Sequence, residues 1–151
     1  MNIDQLNRKL AGIETKVDSL VRSSIKRHSK EIIKRNQEQL LKGEDSEGKL
    51  KTDEFNPYGS YKSKKWIEKR KAIGRQTNYV DLNFSGDFQK SMFVKFDALG
   101  FSLGLDATDK KKDILIHHWG ETILGLNDAN FEWLLDVITE DLYTGLNNYF
   151  R

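Results

Sequence analysis

At 151 residues the chain is long enough for one domain with its own core, and the absence of cysteine excludes a disulfide framework, a thiolate metal site and a cysteine nucleophile. The start of the chain has no secretory apolar stretch and no run nears the roughly 18 apolar residues of a membrane helix, so synthesis as a soluble intracellular protein with no membrane partner is expected. The net charge of +2 hides an asymmetry: residues 1–78 hold 19 Lys and Arg against 11 Asp and Glu, and residues 79–151 hold 6 against 12. Three readings suit this polarity: a basic half facing nucleic acid or an acidic partner, copies stacked basic end on acidic end, or long helices charged for solubility.

In chain order, residues 1–42 read as helix. Ile3, Leu6, Leu10, Ile13, Val17 and Leu20 recur at spacings of three and four, the seam of a helix that lies along another. The phase then slips to Val21, Ile25, Ile32, Ile33, Leu40 and Leu41, which predicts a bent helix or two helices, with Ser23-Ser24 and His28-Ser29 the weakest points. Gly43 is the expected C-terminal stop. Lys26, Arg27, Lys34 and Arg35 form a basic helical face, and His28 among them is expected to be an ordinary surface histidine.

Residues 43–63 lose periodicity and read as an extended loop or arm. Phe55, Tyr58 and Tyr61 want a surface to sit on, either their own core or a neighbouring subunit. The acidic 44–48 run lacks the spacing and closing glutamate of a calcium loop. A second basic helix follows, with Trp66, Ile67 and Ile73 inward and Lys64, Lys65, Lys69, Arg70 and Arg75 outward, stopped by Gly74. These cations and the four of the first helix are the candidate DNA or acidic-partner contacts.

Residues 79–84 alternate as a short strand, and Ser85 is placed to cap a short helix over 87–90. Met92, Val94 and Phe96, then Leu103 and Leu105, predict a hairpin over 92–106 with a turn at 97–100 and one apolar face. A helix over 110–118 precedes Trp119-Gly120, and Asn127-Asp128 caps a final helix striped with Phe131, Leu134, Leu135, Ile138, Leu142 and Leu146, the natural cover for the hairpin. The expected fold is α+β: a small antiparallel sheet packed against the C-terminal helix, with long N-terminal helices. It is one domain overall, divided as 1–42 helical segment, 43–63 arm and 64–151 core.

The chemistry points away from catalysis. Adjacent His117 and His118 point about 100° apart on a helix, whereas zinc pairs prefer spacings of three or four. Asp106, Asp109 and Asp113 are separated by lysines around a turn, and no Gly-rich phosphate loop is present. No catalytic, cofactor or metal site is expected.

Ser85-Gly86-Asp87-Phe88-Gln89-Lys90-Ser91-Met92 resembles the threonine-glycine-x-leucine-x-x-serine-isoleucine signature of tailed-phage virion morphogenesis proteins, the tail-completion or neck proteins that join head to tail. His117-His118-Trp119-Gly120 and Ile123-Leu124-Gly125-Leu126-Asn127-Asp128 follow in the order of that family's later motifs, so the resemblance spans about residues 80–147. The chain departs from the family at Ile114-Leu115-Ile116 and at Glu121-Thr122. The resemblance implies a structural virion protein located in the neck or tail, in host cytoplasm during assembly, and acting by binding. Implied partners are copies of itself in a ring and portal, adaptor or tail-tube proteins. Ile3, Leu6, Leu10, Ile13, Val17, Leu20, Phe55, Tyr58 and Tyr61 are the candidate interface. The alternative is a basic nucleic-acid-binding protein.

Overall fold

The computed structural model describes residues 2–50, 61, 63–96 and 103–151. The predicted turn at 97–100 and the candidate contacts Phe55 and Tyr58 lie outside these residues.

The N-terminal helical segment divides at Gly12, into α1 (Ile3–Ala11) and α2 (Ile13–Leu41). Asn2 and Gln5 form a reciprocal capping box at the start of α1. The break does not fall at the serines, as the phase slip predicted. Ser24 is buried inside an unbroken α2 because its hydroxyl donates to the Asp141 carboxylate at 2.6 Å, a partner 117 residues away that removes its competition with the helix backbone. Lys42 caps α2, and Gly43 follows with φ +78°. An added Cβ there would lie 2.8 Å from Tyr79 and 3.1 Å from the Val80 carbonyl, so glycine is required on both counts.

The predicted loop at 43–63 begins as structure. β1 (Glu44–Asp45) pairs antiparallel with β2 (Gly48–Lys49), and Leu50 then enters the core. Periodicity could not reveal strands two residues long. The basic helix forms as α3 (Lys64–Ala72), capped by Ser63, but its end differs from expectation: Ile73 is exposed and Arg70 is buried. Residues 79–84 are irregular and form no strand. Leu82 takes φ +51°, and the Asp81 side chain accepts from the Asn83 N–H, curling the backbone away from extension. The cap of the short α4 (Asp87–Lys90) is Gly86, at φ +84°; Ser85 lies one residue earlier and donates its hydroxyl to Asp87 at 2.6 Å.

β3 (Met92–Phe96) and β4 (Leu103–Ala107) form the predicted hairpin in antiparallel register from Met92↔Ala107 to Phe96↔Leu103. α5 (Lys112–Trp119), a 3₁₀ turn (Glu121–Leu124) and α6 (Asp128–Phe150) complete the chain. The fold is α+β. α2 and α6 run antiparallel along their length: Gln39 meets Asn127, Ser24 meets Asp141, and Leu20 meets Gly145. The apolar face of the hairpin rests on both. Val94, Phe96 and Leu105 pack with Ile25 and Ile32 of α2 and Leu134 of α6, while Met92 and Ala107 join a second cluster around Leu40, Val80, Phe88 and Ile123. α2 is therefore the spine, and α6 shares the cover that the sequence assigned to it alone.

Candidate functional site

Residues 80–88, which include the first half of the Ser85–Met92 motif, converge with α3 and α5 on one concavity of about 310 Å³. Its apolar lining includes Trp66 and Phe84, stacked with centroids 4.7 Å apart, together with Phe88, Leu115 and Trp119; Asp87, Asp109 and Lys111 supply charge. Beside it lies a fully buried charge. Arg70, 1 % exposed, donates from Nη2 to both Asp81 oxygens at 2.8 and 2.9 Å, from Nε to the Gln76 carbonyl and from Nη1 to the Asn83 carbonyl. The Tyr61 ring lies 4.2 Å from the guanidinium carbon, and its hydroxyl donates to Asp81 Oδ1 at 3.0 Å. Burial, with the Asp81 charge behind it, pushes the Tyr61 phenol well above its ordinary value. The network binds 61, 70, 76, 81 and 83 into one unit, and its charges are neutralised from within. One sequence expectation is corrected here: Arg70 is no surface cation, because it is fully paired inside. Of the two surfaces expected for Tyr61, it sits on its own core rather than standing free for a neighbouring subunit.

The other predicted cations divide by partner. Arg27 pairs with Asp141 at 2.6 Å. Lys34 lies 3.9 Å from Glu31 and 3.8 Å from Glu38. Arg35 stacks 3.9 Å from the centroid of Trp133, and Arg75 donates to the Phe84 carbonyl. Lys26, Lys64, Lys65 and Lys69 are exposed and make no ion pair with the described residues. The basic surface is thus smaller than the sequence suggested and is centred on α3. His28 is not a plain surface residue, for it lies 3.2 Å from Asp141 and edge-on to Trp133.

The apolar seam also divides. Ile13, Val17 and Leu20 are half-buried on α2, and Leu20 fits against Gly145 of α6, so this part of the seam serves its own chain. Ile3 and Leu10 on α1 remain 75 % and 48 % exposed, with Leu6 half-buried. A second concavity, about 320 Å³, opens along α6 and is lined by Ile25, Ile32, Leu105, Leu126, Phe131 and Leu135, among others.

Several determinants carried no local signal. Asp45, buried, accepts from Thr122 Oγ1 at 2.6 Å and from Glu47 N–H. Asn36 donates to the carbonyls of Ile123 and Gly125, while Gln39 Oε1 accepts from Asn127 N–H and Asn130 Nδ2. The last pair left a trace, since both residues fall on the apolar phase of α2 beside Ile32 and Leu40, where a polar residue needs a buried partner.

Among the described residues, no group of three or more His, Cys, Asp or Glu could hold a metal ion, and no helix is long and apolar enough to cross a membrane. His117 and His118 are both exposed, with rings 5.5 Å apart. Comparison with protein-family models, curated proteins and solved structures returns no match.

Proposed function

We propose that the chain is a structural virion protein of a tailed phage, a neck or tail-completion subunit that acts by oligomeric assembly. The observation that carries the reading is the division of its surface. The buried polar residues beside the concavity are spent on one another, as in Arg70–Asp81–Tyr61, while apolar side chains on α1 and α6 stand uncovered. An assembly subunit needs that distribution: a fixed body and sticky outer faces. The resemblance of Ser85–Met92 and of the 117–128 succession to virion morphogenesis proteins supplies the setting, with portal, adaptor or tail-tube proteins as neighbours.

The test is mass spectrometry of purified phage particles, combined with electron microscopy of particles made without the protein. Expected are the chain in intact virions and, without it, filled heads separated from tails. Its absence from particles, or normal particles in its absence, overturns the reading. A second reading, non-specific nucleic-acid binding, is favoured by the exposed lysines 64, 65 and 69 on α3. It predicts affinity that falls steeply between two salt concentrations in a filter-binding assay.

A further inference from the structure

We propose that α1 of one copy docks in the apolar groove along α6 of the next, so that each subunit gives an arm and receives one. The proposal rests on the assembly reading above and names the surfaces that carry it. Ile3, Leu6 and Leu10 recur at three and four residues, so they form one stripe of α1, and Ile3 and Leu10 are exposed. The groove has the matching need: Phe131 and Leu135 on its rim are 51 % and 48 % exposed, above a floor that includes Ile25, Ile32 and Leu134. An amphipathic helix laid in an apolar groove is a common mode of recognition.

Geometry rules out a chain filling its own groove. α1 is tied at its far end to the end of α6, where Lys9 Nζ donates to the Tyr149 carbonyl and the Tyr149 hydroxyl donates to the Lys9 carbonyl. Phe131 lies 18 residues back along α6, about 27 Å away at 1.5 Å per residue. The arm therefore meets the groove of another copy. Charge favours the same pairing, since α6 carries Asp128, Glu132, Asp136 and Glu140 with no Lys or Arg, whereas α1 carries Arg8 and Lys9 in its last turn against the one acid, Asp4, in its first. Arm and groove are different surfaces, so the contact is head-to-tail and propagates into a ring or an open chain rather than stopping at a dimer.

Two full-length variants at exposed positions test this by sedimentation velocity, with circular dichroism confirming the helix content of each: an arm variant, Ile3→Ser with Leu10→Ser, and a groove variant, Phe131→Ser with Leu135→Ser. The parent chain is expected to form species larger than a dimer, and each variant, having lost central interface side chains, to associate at least about tenfold more weakly, which is ~1.4 kcal/mol. Mixed together, the two variants are expected to form a one-to-one pair and no larger species, because the arm variant keeps an intact groove and the groove variant keeps an intact arm. A parent chain that stays monomeric at high concentration, an arm variant that assembles like the parent, or a mixture that gives no pair overturns the proposal. The virion experiment is read independently, so a parent that assembles by other surfaces leaves the phage reading standing while this one falls.

Discussion

Arg70 gives a single guanidinium nitrogen, Nη2, to both carboxylate oxygens of Asp81 inside the protein, with side chains only 1 % and 4 % exposed. Removing one partner strands the other charge away from water. Arg70→Met or Asp81→Leu alone is expected to cost about 3–5 kcal/mol, whereas the double variant is expected to recover part of that loss, the rest remaining because Tyr61, Gln76 and Asn83 also lose their partners. Arg70→Lys is also expected to fail, because an ammonium cannot span Asp81 and two carbonyls with a planar fork. Urea midpoints of the four variants against the parent decide this; equal losses for the single and double variants would contradict it.

Gly145 lies where α6 crosses Leu20. An added Cβ would stand 2.5 Å from Leu20 Cδ2 and 3.2 Å from its branching Cγ, so the whole side chain must yield. Gly145→Ala gains up to about 1 kcal/mol of helix propensity. Crowding is expected to outweigh it and leave a net loss of about 1–2 kcal/mol. The same substitution in a Leu20→Ala background is expected to stabilise. Thermal midpoints of the cycle give the sign.

Gln39 joins α2 to the start of α6, donating to the Gly125 carbonyl and accepting from Asn127 and Asn130. Gln39→Leu leaves those groups without their partner in a buried place, and about 2 kcal/mol is expected to be lost. The exposed neighbour Glu38 is the control, with Glu38→Ala expected to stay within about 0.5 kcal/mol of the parent. Comparable losses at 38 and 39 would show that the clasp contributes nothing.

Two carboxylates make the protein acid-sensitive. The Ser24 hydroxyl, with Arg27 and His28, holds Asp141 below the ordinary carboxyl value against the opposing effect of desolvation. Lys112 and the Ala107 N–H do the same for Asp106. A carboxyl lowered by folding contributes stability that is complete above its unfolded value and is lost as pH falls through the folded one. Stability is therefore expected to hold at neutral pH and decline below about pH 4. Asp141→Asn is expected to cost about 1–2 kcal/mol at pH 7 and to shallow the acid decline. Urea midpoints at pH 7 and pH 3 check both, and an unchanged slope would exclude Asp141 as a contributor.

How much of this was legible follows from the range of the interactions. The hairpin at 92–96 and 103–107, the final helix and its Asn127 cap, and the glycine after α2 are written in local periodicity and local backbone chemistry. What stayed hidden depends on distant partners. Ser24 looked like a helix breaker until Asp141 satisfied it, and Arg70 looked like one more surface cation until Asp81 came around to it. Residues 79–84 alternate like a strand, yet the polar bonds of Asp81 bend them. The spacing of the apolar seam says only that it seeks a helix, and the half on α2 finds one in the same chain, where Leu20 meets Gly145. The groove on α6 is composed of three separate segments, so no single stretch announces it.

The pairing of α2 with α6 also shapes how the chain acquires its structure. Ser24 and Asp141 are separated by 117 residues, and closing so wide a span is entropically slow. During synthesis Ile25 and Ile32 have no partner sheet until the hairpin is made, and their other side stays bare until α6 emerges. Productive maturation is therefore expected to be late and to benefit from chaperone shielding of α2.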